Sequence, residues 1–183
     1  MGKYTINGLK YPTFDKLTAR TSTLCRSMAC TLTIRKECTL EEEKIWLKHF
    51  GDMKCAYCGG EASHLDHLYP LIIERRPTGY GTEVANLVPC CKNCNQPKGN
   101  LNYEDFMKSP KCKHLIADGC TTIQQSIESR IQNIKDFEKE LPAKKIDFSQ
   151  KVLEMWDDIL NKMDSMLKES EEDLLKIKEE TLI

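Results

Sequence analysis

The stretch CAYCGGEASHLDHLYPLIIERRPTGYGTEVANLVPCCKNCNQPKG, residues 55–99, decides the fold. It begins with Cys55-Ala56-Tyr57-Cys58, and its second pair, Cys91-Lys92-Asn93-Cys94, follows after 32 intervening residues. A Cys-x-x-Cys turn sets two thiolates on one side of a tight knuckle, and two knuckles together supply the four sulfurs of a tetrahedral zinc site. The bland alternative is four buried free cysteines. Cys90, next to Cys91, is a possible substitute ligand, although Cys90 to Cys94 has the longer spacing. Four thiolates leave no position for water or substrate, so such a zinc is structural and any chemistry lies elsewhere.

Between the knuckles, Leu65 to Leu68 and Val84 to Val88 each read as a strand, with a loop from Glu74 to Glu83. A short helix is expected after Cys94, beginning close to Pro97 because proline is accepted only in a first turn. Asp66 and the side-chain amide of Asn95 offer the oxygen donors that a hard divalent cation such as Mg2+ prefers. His67, beside Asp66, can take a proton from water near neutral pH, and Lys98 falls on the helical face of Asn95, within reach of a phosphate. Metal, base and cation are together what phosphodiester hydrolysis requires. His67 taken alone would be an ordinary hydrogen-bonded histidine. His64 shares a strand face with Asp66 and so is placed to touch metal or phosphate. Arg75, Arg76 and Tyr80 in the loop suit phosphates and a base, or form a merely solvated loop.

Over residues 55–103 the chain resembles the HNH endonuclease family, whose ββα-metal fold wraps one catalytic divalent ion and is often stapled by a four-cysteine zinc site. The resemblance implies that Asp66 binds the catalytic Mg2+ or Mn2+, that His67 is the general base, and that Asn86 holds the catalytic loop. It makes Asn95, at a motif position filled by His or Asn, the second ligand of that ion, and Lys98 with Gly99 a basic position. The long loop between the strands and the large flanks depart from the minimal pattern. By analogy they suit a self-contained nuclease with its own recognition or dimerisation parts, as in HNH restriction enzymes. The implied activity is metal-dependent hydrolysis of DNA, double-stranded DNA favoured. The alternatives are a non-catalytic zinc-ribbon nucleic-acid-binding module, a nickase, a homing-type enzyme or an RNase.

Upstream of this stretch, Thr39 and Glu42 form a capping-box pattern for a helix over about residues 40–50, ended by Gly51. Residues 1–37 give weak periodicity, with Gly8 and Pro12 as turn signals and no element that can be placed. Downstream, Ile123, Ile127, Ile131, Ile134, Phe137 and Leu141 recur at helical spacing, with Thr121 and Gln124 as a capping box and Pro142 as the stop. A second stripe runs Phe148, Val152, Met155, Ile159, Met163, Met166, Leu174 and Ile177, interrupted at Ser170. Two such helices suggest an antiparallel hairpin, its stripes facing each other or a partner, and a homodimer through them would bring two nuclease centres together.

The 183 residues carry 27 basic and 28 acidic side chains, yet the charge is uneven. Residues 1–110 have 15 basic and 12 acidic residues, a net of +3, whereas residues 111–183 have 12 and 16, a net of −4. A polyanion is thus attracted to the N-terminal part. Collagen-like and wholly disordered chains are excluded by the balanced charge and 40% apolar content. The absence of any long apolar run or apolar signal core predicts a soluble, cytoplasmic protein without a membrane partner, where ten cysteines point to metal rather than disulfides. Cys25, Cys30, Cys38, Cys112 and Cys120 then read as plain thiols, with a second metal site using some of them and His114 as the alternative. The expected architecture is α+β: an N-terminal extension (1–50), a zinc-stapled ββα-metal core (51–110) and a helical C-terminal region (111–183).

Overall fold

A computed structural model describes residues 5–6, 9–10, 21–33 and 37–181. Gly8 and Pro12 lie outside the described residues. The chain is α+β and forms two compact units, residues 26–149 and residues 1–25 with 150–183.

In chain order, β1 (Thr5–Ile6) and β2 (Leu9–Lys10) pair antiparallel, and α1 spans Thr21–Leu32. These elements fall where the sequence periodicity placed none. The capping box then starts α2 (Leu40–Phe50): Thr39 accepts from the Glu42 backbone N–H at 3.2 Å, and Glu42 accepts from the Thr39 N–H at 2.9 Å. Acidic Glu41, Glu42 and Glu43 in its first turn and basic Lys48 in its last complement the helix dipole. Gly51 caps its end, donating its N–H to the Leu47 carbonyl.

Strand β3 (His64–His67) pairs antiparallel with β6 (Leu87–Cys90), with Asp66 opposite Val88 and His67 opposite Leu87. Val84–Asn86, expected within the second strand, is instead a 3-10 turn that leads into β6. The loop between β3 and β6 carries its own hairpin, β4 (Ile72–Ile73) with β5 (Arg76–Pro77). Glu74 and Arg75 close it with φ of 49° and 67°, the left-handed backbone that a two-residue hairpin turn demands at both central positions.

Helix α3 spans Lys92–Lys98, so Pro97 lies in its last turn and not its first. The helix accommodates it by ending one residue later, at the Gly99 cap with φ 49°. Residues β3, β6 and α3 thus form a ββα unit. Helix α4 (Tyr103–Lys108) is capped by Asn102, and α5 runs Ile123–Glu140. The residue that caps α5 is Thr122, which accepts from the Gln125 N–H at 3.2 Å; the expected box at Thr121 and Gln124 is one residue early.

The stripe on α5 is buried within its own unit. Ile131, Ile134 and Phe137 enter the same core as Phe50 of α2 and Tyr103, Phe106 and Met107 of α4. Phe50 and Phe137 meet edge to face at 4.9 Å, and Trp46 donates its indole N–H to the Leu87 carbonyl at 2.8 Å, tying α2 to β6. Helix α5 therefore packs against α2 and α4. Helix α6 (Gln150–Thr181) belongs to the other unit and continues unbroken through Ser170. Its buried residues are Trp156 and Leu160, whereas Met155, Ile159, Met166, Leu174 and Ile177 are about half exposed. The inward face is turned about one residue from the stripe the sequence suggested, because Trp156 carries the largest apolar surface. Among the described residues no helix is long and apolar enough to cross a membrane.

Candidate functional site

Cys55, Cys58, Cys91 and Cys94 come together with their sulfurs all within 4.8 Å of one another. A tetrahedron with metal–sulfur bonds of about 2.3 Å requires sulfur separations of about 3.8 Å. The 3.7 Å between Cys58 Sγ and Cys91 Sγ matches it, so the cluster fits a structural zinc ion. The first knuckle donates the Gly60 N–H to Cys58 Sγ at 3.4 Å, and the second opens α3, where the Cys94 and Asn95 N–H groups close on the Cys91 carbonyl. Hydrogen bonds from Cys58, Cys90 and Cys94 hold Cys55 far below the ordinary thiol range, while the contacts with Cys55 help to raise Cys58 and Cys94. Cys90 packs beside the four without joining them, and Cys112 Sγ stands 4.0 Å from Cys94 Sγ. Cys91 and not Cys90 completes the set; the Cys90 thiol donates to the Cys91 carbonyl at 3.2 Å instead.

A cleft of about 500 Å3 opens beside the ββα unit, lined by Arg26, His64, Asp66, His67, Lys92 and Asn95 among others. The β3–β6 register brings Asp66 and His67 to it from one side, and α3 brings Asn95 from the other. Asp66 is held by two neighbours on one oxygen: Tyr57 OH donates to Oδ2 at 2.8 Å, and Lys98 Nζ stands 3.0 Å from the same atom. Burial first, then Asp66 beside it, raises the Tyr57 phenol well above its ordinary value, so it remains a donor.

Lys98 is fully buried, donates to the His67 carbonyl at 2.8 Å and lies 5.6 Å from the centre of the Tyr57 ring. This corrects the expectation of a lysine reaching phosphate. One turn of helix does bring it to Asn95's neighbourhood, but its ammonium points inward to the strand. The cations on the cleft are Arg26 and Lys92 instead. Lys92, three residues before Asn95, was legible by helical spacing; Arg26 lies on α1, in the stretch whose periodicity showed nothing.

His67 Nε2 and Thr82 Oγ1 are 3.0 Å apart. Burial lowers the His67 pKa; the Asp66 carboxylate opposes this, while Arg26 and Lys98 add to it. The imidazole is therefore neutral near neutral pH. Thr82 was missed because nothing in its neighbourhood of sequence marks it, and only the folding of the loop brings it to His67.

Asn86 is fully buried, accepts the Tyr69 N–H at 2.8 Å, and donates to the carbonyls of Tyr69 at 3.1 Å and Gly81 at 3.0 Å. It pins both ends of the loop to each other and does not face the cleft. Arg75 and Arg76 are exposed on the β4–β5 hairpin, away from the cleft lining, and Tyr80 stacks on Tyr69 with ring centres 4.4 Å apart. His64 faces the cleft and meets Ser63 Oγ through Nδ1 at 2.8 Å. The structure thus gathers Asp66, His67 and Asn95 around one space, sets Asn86 and Lys98 behind it, and leaves the arginine pair outside. Compared with known proteins, the chain matches no family model, no curated protein and no solved structure.

Proposed function

We propose that the protein is a metal-dependent endonuclease of the HNH type that hydrolyses phosphodiester bonds of DNA, double-stranded DNA favoured, in a restriction-type role. The observation that carries this reading is the convergence of Asp66, His67 and Asn95 on one cleft beside a four-cysteine cluster. A zinc ion held by that cluster would be structural and would tie the Cys55–Cys58 knuckle to the start of α3.

The donor set suits a second, hard cation. Asp66, paired with Lys98, offers a carboxylate oxygen, the amide of Asn95 offers a neutral one, and both line the same space. A Mg2+ or Mn2+ ion held by Asp66 and Asn95 would supply charge stabilisation to the phosphate and the departing oxygen. The chain's own part is the base and the positioning. In the tautomer that donates Nε2–H to Thr82, the free lone pair of His67 is on Nδ1, which would take the proton from the attacking water. Lys98 fixes the His67 backbone and the Asp66 carboxylate at once, so base and ligand keep one spacing. Arg26 and Lys92 give the cleft the positive charge that draws in a DNA backbone.

Supercoiled plasmid incubated with the protein and Mg2+ or Mn2+ tests the reading. His67→Ala should cut about a hundred- to ten-thousand-fold more slowly while keeping zinc and DNA affinity. Cleavage by that variant at the wild-type rate would refute the assignment of His67, and wild-type protein that binds plasmid without cutting it would leave a zinc-ribbon binding module.

A further inference from the structure

Next to the catalytic cleft lies a second pocket of about 400 Å3, which no step of the hydrolysis uses. Its wall is largely apolar and aromatic, with Tyr69, Tyr80 and Ile73, and its rim carries Lys145 and the amides of Asn100 and Asn102. Pro70 and Asn100 line both this pocket and the cleft, so the two spaces adjoin. Its floor is rigid. The Tyr69 hydroxyl donates to Glu138, which also accepts from Tyr103 OH, and Tyr80 stacks on Tyr69 with an interplanar angle of 12°. The segment after α5 closes the far side: Tyr80 bridges to Lys145, and the Ile146 N–H donates to the Gly79 carbonyl at 3.0 Å. Gly79, at φ +93°, permits that approach, since a Cβ there would collide with the Ile146 carbonyl.

We infer that this pocket receives one unpaired nucleobase of the DNA strand being cut, stacked against Tyr80, so that the substrate is a duplex bearing an unpaired or extruded nucleotide beside the scissile phosphate. The inference rests on the nuclease reading and narrows its substrate. A base inside a stacked duplex cannot enter a space of this size, whereas an unpaired one gains an aromatic wall at little unstacking cost. The rim chemistry fits as well. Asn102 spends its side-chain oxygen on the N–H groups of Glu104 and Asp105, which leaves its NH2 to offer a base edge. Lys145 has its nearest carboxylate, Asp147, at 3.8 Å and a half-exposed side chain, and so can meet the adjoining phosphate. The strand then passes from pocket to cleft by Pro70 and Asn100.

The test uses the full chain, zinc-loaded and without added Mg2+ or Mn2+, and DNA probes containing 2-aminopurine, either unpaired at a bulge or fully paired. Quenching of the probe reports stacking, and fluorescence anisotropy of a distal dye reports affinity. The unpaired probe should bind more tightly and be quenched. Tyr80→Ala should lose the quench and weaken binding to that probe by about tenfold, with the paired probe unchanged. Tyr80→Trp should restore both, which separates stacking from folding, and Lys145→Ala should weaken binding without removing the quench. Equal affinity for both probes, or a quench that survives Tyr80→Ala, would overturn the inference. Cleavage is then scored separately with Mg2+. Quenching without cleavage sinks the nuclease reading and leaves the pocket, and cleavage of the bulged duplex at equal rates by wild type and Tyr80→Ala does the reverse.

Discussion

Lys98 Nζ lies 3.0 Å from Asp66 Oδ2 with its side chain wholly buried, and the same ammonium donates to the His67 carbonyl. A lysine is rarely buried unless it is paired, so this one is a structural pin between α3 and β3. Removing it leaves a carboxylate only 13% exposed, with the Tyr57 hydroxyl still donating to it. Lys98→Met should therefore cost about 3–5 kcal/mol in urea unfolding, as breaking one side of a buried ion pair does. A loss below about 1 kcal/mol would show that the pair is solvated in solution.

That pin also marks the boundary of what the sequence could reveal. The Cys-x-x-Cys spacing, the Thr39–Glu42 box and the Asp66–His67 pair are local signals, and each is found where its residue types required. Lys98 was legible as a position but not as a direction. Helical spacing sets which face a residue occupies, and only the packing of Tyr57 and β3 shows that the chain end turns inward. Thr82 and Arg26 are joined to His67 by contacts across 15 and 41 positions, and neither has a periodic or spacing signal. Trp156 shows the same effect on α6, where a stripe read from aliphatic residues missed the one bulky side chain that sets the inward face.

The hydroxyl of Thr82 should matter to rate and pH dependence more than to stability. Thr82→Val keeps volume and removes the partner of His67 Nε2, so the imidazole loses its fixed tautomer and orientation. Cleavage should fall by roughly 10- to 100-fold, toward but not reaching the loss in His67→Ala. Under the proposed nuclease reading His67 works as a neutral base, and burial places its pKa below the usual 6.5. Activity should then be nearly level above pH 6.5 and fall as pH drops through the lower folded value, where the imidazole gains its proton. A rate that rises on acidification would contradict His67 as the base.

Zinc content should separate the four ligands from the cysteines that merely neighbour them. Purified protein should hold about one zinc per chain, and Cys55→Ser should lose it together with thermal stability, because metal binding and folding are coupled. Cys112→Ser, whose sulfur is 4.0 Å from Cys94 Sγ but outside the four, should retain zinc. Zinc retained by Cys55→Ser and lost from Cys112→Ser would move the ligand set toward α4 and its following loop.

Under the proposed nuclease reading two centres would cut the two strands of a duplex, and we propose that the exposed apolar side chains of α6 pair two copies of the chain. Residues 146–183 carry 11 acidic and 5 basic side chains, a poor face for DNA, while Met155, Ile159 and Met166 are 48–60% exposed on the same helix. A two-fold axis across that stripe would set the apolar stripe against its copy and keep the acidic flanks on the outside. Because these side chains are exposed within the chain, Met155→Glu with Met166→Glu should leave the fold and zinc content intact. Light scattering should report a dimer for the wild type and a monomer for the double variant, and the variant should nick supercoiled plasmid where the wild type linearises it. A wild-type monomer that still makes double-strand breaks at working concentration would remove the dimer, and the stripe on α6 would then have no part in pairing the two cuts.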